Sequence, residues 1–386
     1  MWMAFFATAG VLVISRTRDV PHMPHAILAG AFAGAVAGTK YTGCIIAASM
    51  AAAYFWEARS APKSLLFLAG SVAAGVYPYA RNLIWTGDPV FPFLTRWLCP
   101  AKVNAYALAS YLADTGAAGH RTLWQILKSP FFVEINSSHL GFWEFLGPLV
   151  LALSPFLLLA VRNSPLWRTA LTVWGLSALG IAASSGMARF LLPVLPIALA
   201  AILAGAAQLT PAAWPAARKI SIASLAAFLA FGAAGFLVYE RSALLVALGR
   251  ESRDEYLRQH VQEFEKVAFI NQVLAGKEEQ GKTLVFLRHL YYLRVAFVYG
   301  DPAASWAVDP SKFQTTEEWR VFFREREIHW VVRSPNYPPA IAAPLQELED
   351  RGELLPIAKA DVSDFNGMRI SGRRDMVPVV IYEVKP

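Results

Sequence analysis

The six residues GTKYTG at 38–43 stand inside a run, Ala26 to Trp56, that is otherwise almost wholly apolar and small. A lysine at the centre of a membrane helix costs roughly 2.5–3.5 kcal/mol, so Lys40 calls for a physical reason. An ammonium in a turn between two apolar segments can hold a phosphate as a point charge. It can equally snorkel to a lipid–water interface and do nothing else. Gly38 and Gly43 permit close backbone approach around it, and Tyr41 brings a phenol beside it. Two further cations border apolar runs: Arg81 in YARNLIWTGDPVFPF and Arg189 in ARFLLPVLPIALA. A guanidinium binds phosphate bidentately or anchors a helix end. Lys40, Tyr41, Arg81 and Arg189 are the candidate lipid-phosphate ligands, and on one face they would make an anion site.

Chemistry beyond binding needs a base or a metal. Asp88, Asp114, Glu134 and Glu144 are the acids on the same side of the apolar runs. Any of them could take a proton, yet their spacing selects none, and the default for each is a solvated carboxylate. His120 and His139 have no partner spacing, and the His-x-x-His at 22–25 is broken by Pro24. Cys44 and Cys99 make neither a disulfide framework nor a zinc spacing. No catalytic residue is therefore assigned and no metal ligands are identified, although a divalent metal would suit phosphate chemistry. Asn136-Ser137-Ser138 fits a glycosylation sequon.

The elements that would position these residues follow from the distribution of charge. The 386 residues are 56% hydrophobic and only 16% charged, against about 25% in a soluble domain, and the mean hydropathy is +0.40. Residues 1–249 carry 16 Lys+Arg and 7 Asp+Glu, whereas residues 250–386 carry 19 and 21. The basic excess is spread over loops with no aromatic-interleaved cluster, which argues against nucleic acid as a partner. Apolar runs fall near 2–15, 26–38, 43–57, 64–80, 144–161, 169–185, 188–206 and 220–239. Some reach the roughly 20 residues of a bilayer span and some are short. Arg16 and Arg18, Arg59 and Lys63, Arg162 and Arg168, and Arg218 and Lys219 occupy alternate loops, which the positive-inside rule places in the cytoplasm. The expected fold is a polytopic α-helical membrane protein of about eight spans or half-spans, with a C-terminal α/β extracytoplasmic domain. The boundaries are 1–245 for the helical domain, with an external loop 81–143, and 250–386 for the soluble domain. The expected location is the inner (plasma) membrane, multi-pass. HRTLWQILKSPFF either lies in the interface as an amphipathic helix or packs as a loop.

In the tail, EYLRQHVQEFEKVAFINQVLA has apolar residues at helical spacing and ends at Gly276. KTLVFLR, IHWVVRS and VPVVIYEVK read as strands. TTEEWRVFFREREI reads as a helix with Thr315 and Glu318 at capping-box spacing, and PLQELEDRG as a short helix. Alternation of strands and helices predicts a parallel or mixed sheet covered by helices. No G-x-G-x-x-G follows a strand, so no nucleotide site is expected.

GAFAGAVAGTKYTG, YARNLIWTGDPVFPF, EFLGPLVLALSPFLLL and ARFLLPVLPIALA stand in the order seen in GT-C membrane glycosyltransferases. The chain resembles the bacterial relatives of protein O-mannosyltransferases and lipid A aminoarabinose transferases. The resemblance implies transfer of a sugar from a polyprenyl-phosphate carrier to an extracytoplasmic acceptor. It casts Lys40 and Tyr41 near the lipid phosphate, with Arg189 in the same role. It also marks a departure. The family's catalytic aspartate lies in a first external loop for which this sequence has no counterpart, and MWMAFFATAGVLVIS resembles a middle span. The expectation is a C-terminal portion of such an enzyme, unable to transfer sugar alone. The competing expectation is a non-catalytic membrane protein that binds lipid phosphates, or a transport or assembly subunit.

Overall fold

The computed structural model describes residues 2–17, 22–114, 122–128, 164–184, 188–207, 243–277, 279–313, 315–334, 339–365 and 374–385, with scattered single positions between 19 and 241. The chain divides into two compact units. One comprises Met1–Val103 and Thr115–Gly232, the other Asn104–Asp114 and Ala233–Pro386.

In the first unit the apolar sequence forms short helices: α1 (Trp2–Ser15), α2 (Met23–Thr39), α3 (Thr42–Ala58), α4 (Ala61–Gly75) and α5 (Tyr77–Thr86). Each break has a local cause. Pro24, Pro62 and Pro78 each sit in the first turn of a helix, where a missing N–H costs nothing, and Arg59 closes α3 with a left-handed residue. The run 26–57 becomes two helices of 17 residues that meet at Lys40–Tyr41.

These lengths overturn the expectation of a polytopic membrane protein of about eight spans. A 17-residue helix is about 25 Å long, short of the roughly 30 Å of hydrocarbon it would have to cross. Among the described residues one helix is long and apolar enough, α7 (Pro165–Ser184). The run at 188–206 breaks into a 3₁₀ turn, Ala188–Leu191, and the 13-residue α8 (Leu195–Ala207). The runs expected at 144–161 and 220–239 lie outside the described residues, apart from single positions. Hydropathy counted apolar residues but not the prolines and turns that divide them. The short helices bury their small faces on one another: Ala29, Ala33 and Val36 of α2, Ile46 and Met50 of α3, and Val173 and Ala178 of α7 share one core.

The helices α2 and α4 come close enough for backbones to touch. Gly30 and Gly34 of α2 face Phe67 and Ser71 of α4, and a Cβ at either glycine would overlap the carbonyl oxygen opposite. Ser71 donates its hydroxyl to Gly30 O at 3.0 Å across this contact.

The second unit is a five-stranded mixed sheet of order β2-β1-β3-β5-β4. The strands are β1 (Lys282–Val285), β2 (Phe297–Tyr299), β3 (Ile328–Arg333), β4 (Leu354–Phe365) and β5 (Arg374–Val384). Strands β1, β2 and β3 are parallel, and β5 runs antiparallel to both β3 and β4. Alternate residues go to opposite faces. Leu284, Val331 and Tyr382 meet Trp319, Phe322 and Phe323 of α11 (Thr316–Glu325) and Leu345 of α12 (Pro339–Asp350). Val285, Trp330, Val332 and Ile381 meet Val267, Ile270 and Leu274 on and just after α10 (Phe264–Val273). Both faces of the sheet are covered, as its parallel half requires. The capping box forms as the spacing predicts: Thr315 N–H donates to Glu318 Oε2 at 2.9 Å, and Glu318 N–H returns to Thr315 Oγ1 at 3.3 Å.

The helix expected over 255–275 is two helices, α9 (Arg253–His260) and α10. The break is Glu263, a non-glycine residue at φ 64°. Its backbone N–H donates to Asp364 Oδ1 at 3.0 Å, and its carboxylate accepts the N–H groups of Arg288 and His289, each at 2.8 Å. Partners about 25 and 100 residues away hold the strained turn, and helical periodicity carries no trace of them. Part of the loop expected at 81–143 belongs to this unit. In α6 (Ala105–Asp114), Asp114 forms a bidentate ion pair with Arg288, and Asn104 before it donates to Val308 O at 2.8 Å.

Arg320 on α11 clamps Glu353, with Nε 2.6 Å from Oε2 and Nη2 on the other oxygen. That hydrogen bonding holds the Glu353 carboxyl below its ordinary 4.5. A depressed carboxyl adds stability above its unfolded value and loses it as pH falls through the folded one. Wild type and Glu353→Gln should therefore differ in melting temperature near pH 7. The gap should be small, because the pair is partly exposed, and should close as pH falls below 4.5. A gap that stayed constant down to pH 2 would argue against the ion pair as its source.

Candidate functional site

Lys40 is the extended residue between α2 and α3. The turn is tight because Gly43 N–H donates to Lys40 O at 2.8 Å, and a Cβ on Gly43 would overlap the Val36 carbonyl oxygen. Only glycine lets the start of α3 fold back on the last turn of α2. The Lys40 side chain is exposed, and its ammonium lies 4.4 Å from the centre of the buried Phe190 ring. A cation over an aromatic face is held by the ring quadrupole. Phe190 sits beside Arg189 in the 3₁₀ turn Ala188–Leu191. Two candidate residues far apart in the chain are thus linked through Phe190, Lys40 by its ammonium and Arg189 by the chain itself. The side chain of Arg189 lies outside the described set.

Tyr41 is half-buried. Its hydroxyl accepts the Asn82 amide at 2.6 Å, and its ring stands edge-on to Phe93, with centroids 5.6 Å apart. Behind it, Tyr79 donates to Ala37 O at 2.7 Å and lies 2.8 Å from Cys44 Sγ. A phenol has one proton to give, so the thiol is the donor in that second contact. These bonds tie α5 to the end of α2 and the start of α3, which fixes the Tyr41 ring.

Arg81 is not brought to this cluster by any described contact. Its guanidinium lies over Trp85, 5.2 Å from the ring centre and one turn along α5. The neighbouring residue, Asn82, faces Tyr41 instead, because successive helical residues point about 100° apart. Sequence reasoning valued Arg81 for its charge and gave Asn82 no role. Asn82 stands beside Arg81 in the same stretch, but nothing in its type marked it.

Two of the four candidate acids are described, and both are engaged. Asp88 is fully buried rather than solvated, and its carboxylate accepts from Val90 N at 2.8 Å, Leu94 N at 3.0 Å and Thr95 Oγ1 at 2.8 Å. It shapes the GDPVFPF turn. Asp114 pairs with Arg288. Glu134, Glu144, His120, His139 and the Asn136 sequon lie outside the described residues. His25 contacts Val13 O through Nε2 at 2.8 Å, a structural use of the His-x-x-His pair. Among the described residues no three His, Cys, Asp or Glu side chains gather as a metal site would require. Leu123, Trp124 and Leu127 are exposed on a six-residue helix, Leu123–Lys128.

No protein-family model matches this sequence, and no curated protein is significantly similar to it. The chemistry must therefore be read from the side chains alone. The turn offers an ammonium on an aromatic platform, a hydrogen-bonded phenol and an arginine-bearing 3₁₀ turn. Groups of those types suit an oxyanion, and no described base stands among them.

Proposed function

We propose that the Lys40 turn holds the phosphate of a polyprenyl-phosphate-linked sugar at a bilayer surface. In this reading the chain serves a glycosyltransferase that passes the sugar to an extracytoplasmic acceptor. The observation that carries the reading is Lys40 lying over Phe190, next in sequence to Arg189, with Tyr41 pinned beside it. Positive groups at a phosphate leaving group lower the barrier to its departure. Exposed Trp2, Ile84 and Trp85, each more than 70% accessible on the same unit, suit contact with lipid. A second reading is a lipid-phosphate binder without catalysis. The engagement of Asp88 in its turn and of Asp114 with Arg288 favours it.

The test is binding of undecaprenyl phosphate by the full chain in nanodiscs, with undecaprenol as the uncharged control. Wild type should bind the phosphate at least tenfold more tightly than the alcohol. Lys40→Met should remove most of that preference, since charge-assisted contacts contribute about 1.5–3 kcal/mol each. Because Lys40 is exposed, its melting temperature should hold. Equal binding of phosphate and alcohol would defeat both readings. Sugar turnover by the same preparation would separate the enzyme from the binder.

A further inference from the structure

The second unit carries a cleft of about 620 Å³ between α9, α10 and the 291–294 loop, well within the roughly 300–1,000 Å³ of small-molecule sites. Three arginines line it, Arg253, Arg258 and Arg294, against one acid, Asp254. Arg258 is 3.4 Å from Glu265, while Arg253 and Arg294 have no carboxylate partner among the described residues. Arg253 lies 5.7 Å from the centre of the Tyr292 ring, which holds its guanidinium at the rim.

The loop is anchored before any ligand arrives. Asn271 of α10 spends both ends of its amide on it: Nδ2 donates to Tyr292 O and Oδ1 accepts Arg294 N–H, each at 2.8 Å. Phe264 buttresses Tyr292 edge-on, with centroids 5.3 Å apart. On this fixed loop Tyr291 is 88% exposed. An aromatic ring left open to water beside arginines with no described carboxylate partner suits a ligand with one apolar face and an anionic group.

We propose that this cleft binds an acidic saccharide, with the sugar face on Tyr291 and a carboxylate between Arg253 and Arg294. Arginine meets a carboxylate bidentately. Asp254 on the same lining can accept sugar hydroxyls, a contact that favours a saccharide over a bare anion. The cleft lies within the α/β unit, so the inference stands independently of the Lys40 turn.

The test is calorimetric titration of the full chain with digalacturonate, maltose, inorganic phosphate and AMP. Digalacturonate should bind at least tenfold more tightly than the other three. Tyr291→Ala and Arg294→Gln should each weaken it about tenfold at unchanged melting temperature, since both side chains are exposed. Equal affinity for maltose and digalacturonate would overturn the proposal. So would tighter binding of phosphate or AMP, or full affinity in both variants.

Discussion

Lys266→Met should cut the stability of the α/β unit by about 3–5 kcal/mol, the range seen when one partner of a buried ion pair is removed. Lys266 has no exposed surface, and its Nζ lies 2.6 Å from Asp364 Oδ2, itself 5% exposed. This is a charge contact without an aligned hydrogen bond, so removing the ammonium takes that counter-charge from a buried carboxylate. The damage extends further, because Asp364 Oδ1 also holds the Glu263 N–H and so the strained turn between α9 and α10. The melting temperature should fall by roughly 10 °C, at about 2–4 °C per kcal/mol for a unit of this size. The double variant Lys266→Met/Asp364→Leu should recover part of the loss, but the orphaned Glu263 N–H limits it. A fall of under about 2 °C in the single variant would mean that the pair is solvated in solution.

Gly34→Val should disrupt the first unit by a different route. A Cβ at position 34 would collide with the Ser71 carbonyl oxygen, and backbone on a facing helix cannot move aside as a side chain can. Overpacking costs typically 1–3 kcal/mol, and the upper end is expected here because α2 and α4 must separate. Loss of the contact also breaks the Ser71–Gly30 hydrogen bond. Gly38→Ala supplies the contrast on the same helix. Its nearest facing atom is 3.5 Å away, and alanine gains up to about 1 kcal/mol over glycine in a helix. Thermal denaturation should therefore rank Gly38→Ala at or above wild type and Gly34→Val well below. The reverse order would refute the close helix contact.

Several features were legible because they are local. The capping box at Thr315 and Glu318 needs only a three-residue spacing. The halves of 26–57 meet at Lys40 because one polar turn interrupts small apolar residues. The strands of β1, β3 and β5 announce themselves by β-branched and aromatic runs. Strand β4 does not: Lys359, Asp361 and Asp364 dilute its apolar signal, and it is an edge strand defined by its long pairing with β5. Strand β2, of three residues, is too short to show a period.

By itself, then, the sequence determined the contrast between a charge-poor helical part and a charged α/β part, the Lys40 turn, and the cations that single it out. Composition and short-range spacing are properties of neighbouring residues, so they survive without a fold. Among the described residues, tertiary structure decided that the apolar runs other than α7 are helices too short to span. It also decided that Asn82 rather than Arg81 meets Tyr41, that Asp88 is buried in its own turn, and that Glu263 breaks a helix. Each of those outcomes depends on a partner far along the chain or on where a side chain points, and contact energies of that kind exist only after the chain has closed on itself.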